Sequence, residues 1–143
     1  MILLKKPITN IENLIPQKSP FVMVDSLIGF SSTHVVSTFK ILESNIFFEN
    51  QTLSEAGLIE NMAQTVALHT GYDYFTKGLP APTGYIGAIK EVQISVLPQL
   101  DEIINTEAHI LQEFMGITLV EITVSNAKKE KVASSVMKTV ITS

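Results

Sequence analysis

Two side chains that could cooperate in proton transfer stand four residues apart in the motif IENMAQ, at 59–64. Glu60 and Gln64 would share one stripe of a helix, because side chains at this spacing are neighbours on a helix surface. Apolar neighbours such as Met62 and Ala63 put the carboxylate at the border of an apolar face, where it could serve as a general acid. The alternative is a partly exposed glutamate at the helix edge, held by Gln64, and the spacing alone favours this alternative.

A general base is the expected partner of such an acid, and histidine is the usual choice. The chain has three histidines. His34 and His109 fall in predicted strands, and His69 would lie on the far side of the helix from Glu60, because successive helical residues are rotated by about 100°. Each is interpreted as a surface or structural histidine, so the sequence predicts neither a metal site nor a cofactor.

The composition excludes several classes of function. The 143 residues are 45% hydrophobic and 17% charged, as expected of one folded domain over 1–143. A formal net charge of −4 and the absence of arginine argue against a nucleic-acid-binding protein, since arginine is the usual reader of phosphate and guanine. Without cysteine there is no thiolate chemistry. No segment approaches the roughly 20 apolar residues of a membrane span, and the expected location is the cytoplasm.

The residues around Glu60 are predicted to belong to one long helix. It begins near Thr52 or Ser54, where Thr52 and Glu55 have the form of a capping box. Gly71 and the glycine- and proline-rich stretch 78–82 are expected to end it. Its expected buried face follows helical spacing and consists of Ala56, Ile59, Ala63, Val66, Ala67 and Thr70.

Strands are predicted on both sides of this helix, after a helical turn over residues 9–14. They occupy, in order, residues 21–30, 34–42, 85–96, 102–114, 117–125 and 131–142. Met115 and Gly116 make a tight reversal between two of them. A long apolar helix is most economically buried when such a sheet wraps around it, so the predicted fold class is α+β.

Four short motifs in this order resemble the β-hydroxyacyl-acyl-carrier-protein dehydratases of the hotdog fold. IPQKSPFVMVD at 15–25 is similar to the family's opening LPHRYPFLLVD, and the pair Phe47–Phe48 is similar to the start of its FFxGHFP loop. IENMAQ is similar to the helix motif IEALAQ, and residues 85–103 resemble the family's AGIDKARFRRPVVPGDQL segment. The resemblance implies a long central helix wrapped by a curved antiparallel sheet, with Glu60 as the catalytic acid and Gln64 as its helix glutamine.

The loop before the helix departs from the family pattern. In the family, a histidine in this loop takes the proton from C2 of the acyl chain, and the glutamate protonates the leaving 3-hydroxyl. Here residues 47–60 contain no histidine and the loop is shorter, while Gln17 stands where the opening motif has its histidine. A short loop without histidine resembles the divergent branch of dehydratase-like proteins encoded with aryl-polyene and flexirubin pigment synthesis.

The resemblance implies elimination of water from a 3-hydroxyacyl thioester on acyl carrier protein, giving a trans-2-enoyl thioester. Glu60 would act as both acid and base, or would use a water positioned by Asn50 or Gln51. Amides near Gly57 would polarise the thioester carbonyl at the helix N-terminus. Further candidates for contact with the acyl thioester are Phe47, Phe48, Tyr85 and Gly87.

Two alternative functions remain open at this point. One is a non-catalytic acyl-thioester-binding subunit, which would complete a heterodimeric dehydratase with a histidine-bearing hotdog relative. The other, which the motifs favour less, is a hotdog thioesterase with one carboxylate on the helix. Long edge strands need covering, so a homodimer with a continuous sheet is the expected minimum assembly.

Overall fold

The computed structural model describes residues 2–142, which form one long helix packed against a large antiparallel sheet. The helix α1 spans Glu55–Thr76, and a short 3-10 helix spans Ile11–Asn13. The strands are β1 Ile2–Ile8, β2 Ser26–Phe30, β3 His34–Lys40, β4 Phe48–Glu49, β5 Thr52–Leu53, β6 Thr83–Ile94, β7 Ile103–Phe114, β8 Ile117–Ser125 and β9 Lys131–Thr142. The predicted α+β class is confirmed.

Seven strands form one sheet in the order β1-β2-β3-β7-β8-β9-β6, and β4 and β5 form a separate hairpin. The side chains that face α1 are fully buried, as at Val35, Ile104 and Ile122 on the three central strands. Their neighbours along each strand are more exposed, which is the pattern of a sheet with one face on the core. β1 and β6 are the two edges of this sheet.

The helix begins after Ser54, which is one of the two caps that the sequence predicts. Ser54 is the N-cap, and its hydroxyl accepts a hydrogen bond of 3.4 Å from the amide of Gly57. Thr52 pairs with Glu49 in the β4–β5 hairpin, so its backbone is extended and it does not cap. The predicted capping box is therefore wrong. No helix within residues 2–142 is long and apolar enough to cross a membrane.

The prediction that Gly71 ends the helix is also wrong, because α1 continues to Thr76. Gly71 is needed for close packing instead: a Cβ there would lie 1.8 Å from the carbonyl oxygen of Leu14. Lys77 is the C-cap of the helix, and it is followed by Gly78 with a φ of 69°. Gly78 begins the glycine- and proline-rich stretch 78–82, which the sequence also predicted to end the helix.

The predicted buried face of α1 is rotated from the observed one. Leu58, Met62 and Leu68 are fully buried against the sheet, whereas Ala56 is exposed. The small residues Ala63 and Ala67 are only partly buried. Large side chains fill the space toward the sheet, and the small ones border a cavity that the sequence pattern alone does not reveal.

The strands before the helix differ most from prediction. The segment 21–25 is not a strand, and only Ser26–Phe30 belongs to β2. The sequence did not predict β1. It is an edge strand, and its pairing with β2 is irregular between Leu3 and Ile8. Pro7 lies in this irregular part, and edge strands and bulges are the places where a sheet tolerates proline. β3 ends two residues earlier than predicted, β6 is displaced by two residues, and β7, β8 and β9 match within one residue.

Candidate active site

The side chain of Gln64 links α1 to the segment before β2 and also holds Glu60. Its Oε1 accepts a hydrogen bond of 2.6 Å from the amide of Met23. Its Nε2 donates to the carbonyl of Phe21 at 3.0 Å and to Oε2 of Glu60 at 2.9 Å. Because Gln64 is only 1% exposed and tied to the main chain, the Glu60 carboxylate is held in one orientation by a fixed amide.

A second buried polar side chain of α1, Asn61, also binds this segment, and the sequence analysis did not select it. Asn61 donates from Nδ2 to the carbonyl of Met23 at 2.7 Å and accepts from the hydroxyl of Thr106 at 2.6 Å. Thr65 donates to the carbonyl of Asn61 at 2.8 Å and shares a hydrogen bond of 2.7 Å with Ser37. The only sequence signal for Asn61 was that IENMAQ has asparagine where the resembling motif IEALAQ has alanine.

These two amides explain why residues 21–25 are not a strand. Met23 gives its amide to Gln64 and its carbonyl to Asn61, so side chains of α1 take the place of ladder hydrogen bonds. The segment is thereby anchored to the same turn of the helix that carries Glu60. Hydrogen bonds through Gln64 thus connect the Glu60 carboxylate to the backbone of residues 21–23.

Glu60 faces a cavity of about 140 Å³ between α1 and the edge of the sheet formed by β6 and β9. The helix side of this cavity is a stripe that runs from Glu60 to Gly71. Between these two residues it includes Ala63, Val66, Ala67 and Thr70. A helix rise of about 1.5 Å per residue makes this stripe about 16 Å long. The opposite wall includes Tyr85, Ile86, Thr139 and Ile141. The result is a narrow, mostly apolar groove with a carboxylate at its start.

The cavity brings together only some of the predicted site residues. Glu60 and Tyr85 line it, and Gln64 touches Glu60 from the core side. Gly87 lies on β6 and does not line the cavity. A Cβ on Gly87 would lie 3.4 Å from the side chain of Val140.

The loop residues predicted to contact substrate lie elsewhere in this chain. Asn50 and Gln51 form the exposed tip of the β4–β5 hairpin, both with positive φ, 51° and 66°. Phe47 and Phe48 are partly buried against the core. Phe47 packs on Gly57, since a Cβ added to Gly57 would lie 2.7 Å from the Cβ of Phe47. Because Gly57 already donates its amide to Ser54, that amide is engaged in capping. The roles in substrate binding that the sequence suggests for Asn50, Gln51, Phe47, Phe48 and Gly57 stay predictions.

The three histidines lie away from the cavity. The rings of His34 and His109 stack with centroids 4.1 Å apart on β3 and β7. His69 donates to the carbonyl of Ser31 at 2.8 Å and stacks on Phe30. Burial, and then the neighbouring His109, lower the pKa of His34 below its ordinary value of 6.5. Among residues 2–142, no group of three or more histidine, aspartate or glutamate side chains could hold a metal ion.

The long central helix packed against this antiparallel sheet defines a protein of the hotdog class. Residues 9–140 match the ApeP-like family, described as ApeP dehydratase, and the chain belongs to this family. The family assignment confirms the predicted class of dehydratase-like protein and its aryl-polyene branch. No curated protein matches the sequence.

Solved structures confirm the hotdog fold. The dehydratase heterocomplex ApeI:P from Xenorhabdus doucetiae matches with a TM-score of 0.85 at 16% identity, covering 93% of this chain and 91% of that chain. A hypothetical thioesterase with coenzyme A from Streptococcus pneumoniae TIGR4 matches with a TM-score of 0.66 at 14% identity, covering 81% and 84%. An uncharacterized protein from Pyrococcus horikoshii matches with a TM-score of 0.70 at 13% identity, covering 99% and 95%.

Proposed function

We propose that this chain eliminates water from a 3-hydroxyacyl thioester carried on acyl carrier protein, with Glu60 as the residue that moves the proton. The observation that carries the proposal is the Glu60 carboxylate, fixed by Gln64 at the start of an apolar groove. Membership of a dehydratase family supports the reaction type. The small residues Ala63, Ala67 and Gly71 on the helix wall leave room for an extended acyl chain.

The proposed reaction requires one proton to leave C2 and one to arrive at the 3-hydroxyl. The electron pair of the C2–H bond forms the C2–C3 double bond, and the C3–O bond breaks as the hydroxyl departs as water. Gln64 holds Oε2 of Glu60, so Oε1 is the oxygen available for substrate. A single carboxylate can accept the C2 proton and pass it to the leaving hydroxyl, provided that both groups are on the same face of the acyl chain.

A second chain is proposed to complete the site. β6 is an edge strand with exposed apolar side chains at Tyr85, Ile86 and Ile89, which are 60%, 41% and 42% exposed. Such an edge is a template for pairing with another chain. Because Tyr85 and Ile86 also line the cavity, a partner strand on β6 would close the groove. The similar ApeI:P structure is a dehydratase heterocomplex, which favours a hotdog partner that could supply the histidine base.

The test is mass-spectrometric detection of water loss from 3-hydroxyacyl-carrier-protein substrates. The protein is assayed alone and together with a histidine-bearing hotdog dehydratase. Glu60→Gln should reduce product formation by about 100-fold or more, the usual contribution of a positioned acid or base. Glu55→Gln, on the same helix and exposed, is the matched control and should keep full activity.

The outcomes separate the alternatives. Product formed by the chain alone, and lost with Glu60→Gln, would indicate the single-carboxylate route. Product formed only with the partner, and still lost with Glu60→Gln, would indicate a shared site. Partner-dependent turnover that is unchanged by Glu60→Gln would reject the role of Glu60 and indicate a non-catalytic binding subunit. Hydrolysis of acyl-coenzyme A without water loss would instead favour thioesterase activity.

A further inference from the structure

The cavity that Glu60 faces has a defined far end. Gly71 is the last residue of α1 that lines it. Leu14, which lines it too, packs so closely on this glycine that a Cβ there would lie 1.8 Å from the Leu14 carbonyl oxygen. Leu14 is buried, and its main chain bounds the cavity at Gly71. The usable length therefore corresponds to the part of α1 between Glu60 and Gly71.

Both long walls of the cavity belong to regular secondary structure. On the sheet side, Ile86 and Thr139 are direct cross-strand partners on β6 and β9. On the helix side, Ala63 and Ala67 lie one turn apart, because residues four apart are neighbours on a helix surface. Their side chains end at Cβ, so a larger side chain at either position would extend into the space between the two walls.

The lining suits an alkyl chain better than the pantetheine arm of a carrier. Between Glu60 and Gly71, four residues of α1 line the cavity, and Thr70 is the only one of them with a polar side chain. The amide groups of pantetheine would lose their hydrogen bonds to water against such a wall, which is costly. Each methylene buried there would instead gain affinity.

We infer that α1 limits the length of the acyl chain, with Ala67 as the residue that admits chains to the far end at Gly71. This inference rests on the proposed function, which places the reacting C3 beside Glu60. Bonds of about 1.5 Å at tetrahedral angles advance an extended chain by about 1.25 Å per carbon. The helix rise of about 1.5 Å per residue puts Gly71 about 16 Å beyond Glu60, which leaves room for about 13 carbons after C3. The four residues from Ala67 to Gly71 correspond to about five of these carbons.

The experiment measures the affinity of the purified protein for a series of pantetheine thioethers by calorimetry. The ligands differ only in the length of an unbranched S-alkyl chain, and they do not react because they have no thioester carbonyl. With the wild type, each added methylene should tighten binding about threefold to fourfold until the chain fills the cavity. Further methylenes, which would reach the contact between Leu14 and Gly71, should bring no gain.

Ala67→Leu should shorten this limit by about five carbons, because its side chain would occupy the cavity one turn before Gly71. Ala63→Leu should shorten it by about five carbons more. Ala67→Val, which adds less volume, keeps the test available should the leucine variant fail to fold, and it should weaken only those chains long enough to pass Ala67. Ala56→Leu is the matched control, since it is the same chemical change at an exposed position of α1 outside the cavity, and it should keep the wild-type limit.

A wild-type limit in Ala67→Leu would overturn the inference. Equal weakening of all chain lengths would also overturn it, because the cavity would then hold the pantetheine arm. The same holds for a wild type whose affinity does not depend on chain length, or that binds no ligand of the series. The water-loss assay tests the proposed function separately. Turnover with an unmoved limit would contradict only the inference, whereas a limit that moves without any turnover would contradict only the proposed function.

Discussion

Replacing Gln64 by leucine should separate the helix from the segment that it anchors. The substitution removes hydrogen bonds to Met23, Phe21 and Glu60. Met23 is fully buried, so its amide would lose its partner without access to water, at a cost of about 1–3 kcal/mol. Phe21 is 59% exposed and Glu60 is partly exposed, so water can replace most of what these two groups lose.

The expected loss in the free energy of unfolding is therefore about 2–3 kcal/mol, most of it from the single Met23 amide. For a chain of 143 residues this corresponds to a fall in Tm of about 6–10 °C. Thermal unfolding followed by circular dichroism measures the global effect. Hydrogen exchange at the Met23 amide measures the local effect, since that amide should lose protection before the rest of the core does.

Gln112→Leu is the matched control, because it is the same chemical change at an exposed position of β7. It should alter stability by no more than about 0.5 kcal/mol. If Gln64→Leu melted within the range of this control, and the Met23 amide kept its protection, the argument that Gln64 anchors residues 21–23 would be wrong. The orientation that we assign to Glu60 would then have no structural basis.

Two further predictions concern packing and pH. Gly71→Ala should destabilise the protein by about 1–3 kcal/mol, because the new Cβ would lie 1.8 Å from the carbonyl oxygen of Leu14. Gly84→Ala is the control and should be tolerated, because the nearest atom to its new Cβ would be 3.9 Å away. Denaturant titration measures the free energy of unfolding of both variants. In the folded protein the pKa of His34 is lowered below 6.5, by burial first and by His109 second. The unfolded chain therefore takes up the proton more readily, so the free energy of unfolding should fall as the pH is lowered below 6.5. Urea midpoints at about pH 8 and about pH 5 should differ less in His34→Gln than in the wild type, and an equal difference would contradict this assignment.

The strands after the helix could be predicted from the sequence because their signals are local. β7, β8 and β9 alternate buried and exposed side chains and are separated by turns, and Met115 and Gly116 adopt the positive φ values, 53° and 79°, that a tight reversal needs. The motif resemblance found Glu60 and Gln64 for a similar reason: a spacing of four on a helix brings two side chains together whatever surrounds the helix.

The errors arose where a distant contact outweighs a local preference. Gly71 looks like a helix end, but it is the place where α1 meets the chain at Leu14. Phe21 to Asp25 looks like a strand, but Asn61 and Gln64 bind its backbone from more than thirty residues away. Neither contact leaves a pattern at the position it affects.

The sequence by itself determined the α+β class, the long helix, the family and the carboxylate on that helix, because periodicity, turns and short motifs are properties of neighbouring residues. The tertiary structure decided which face of the helix meets the sheet and which borders the cavity. It also decided that Gln17, forty-three residues before Glu60, lines the same cavity. Burial and the partners of a polar atom depend on residues that only the folded chain brings together.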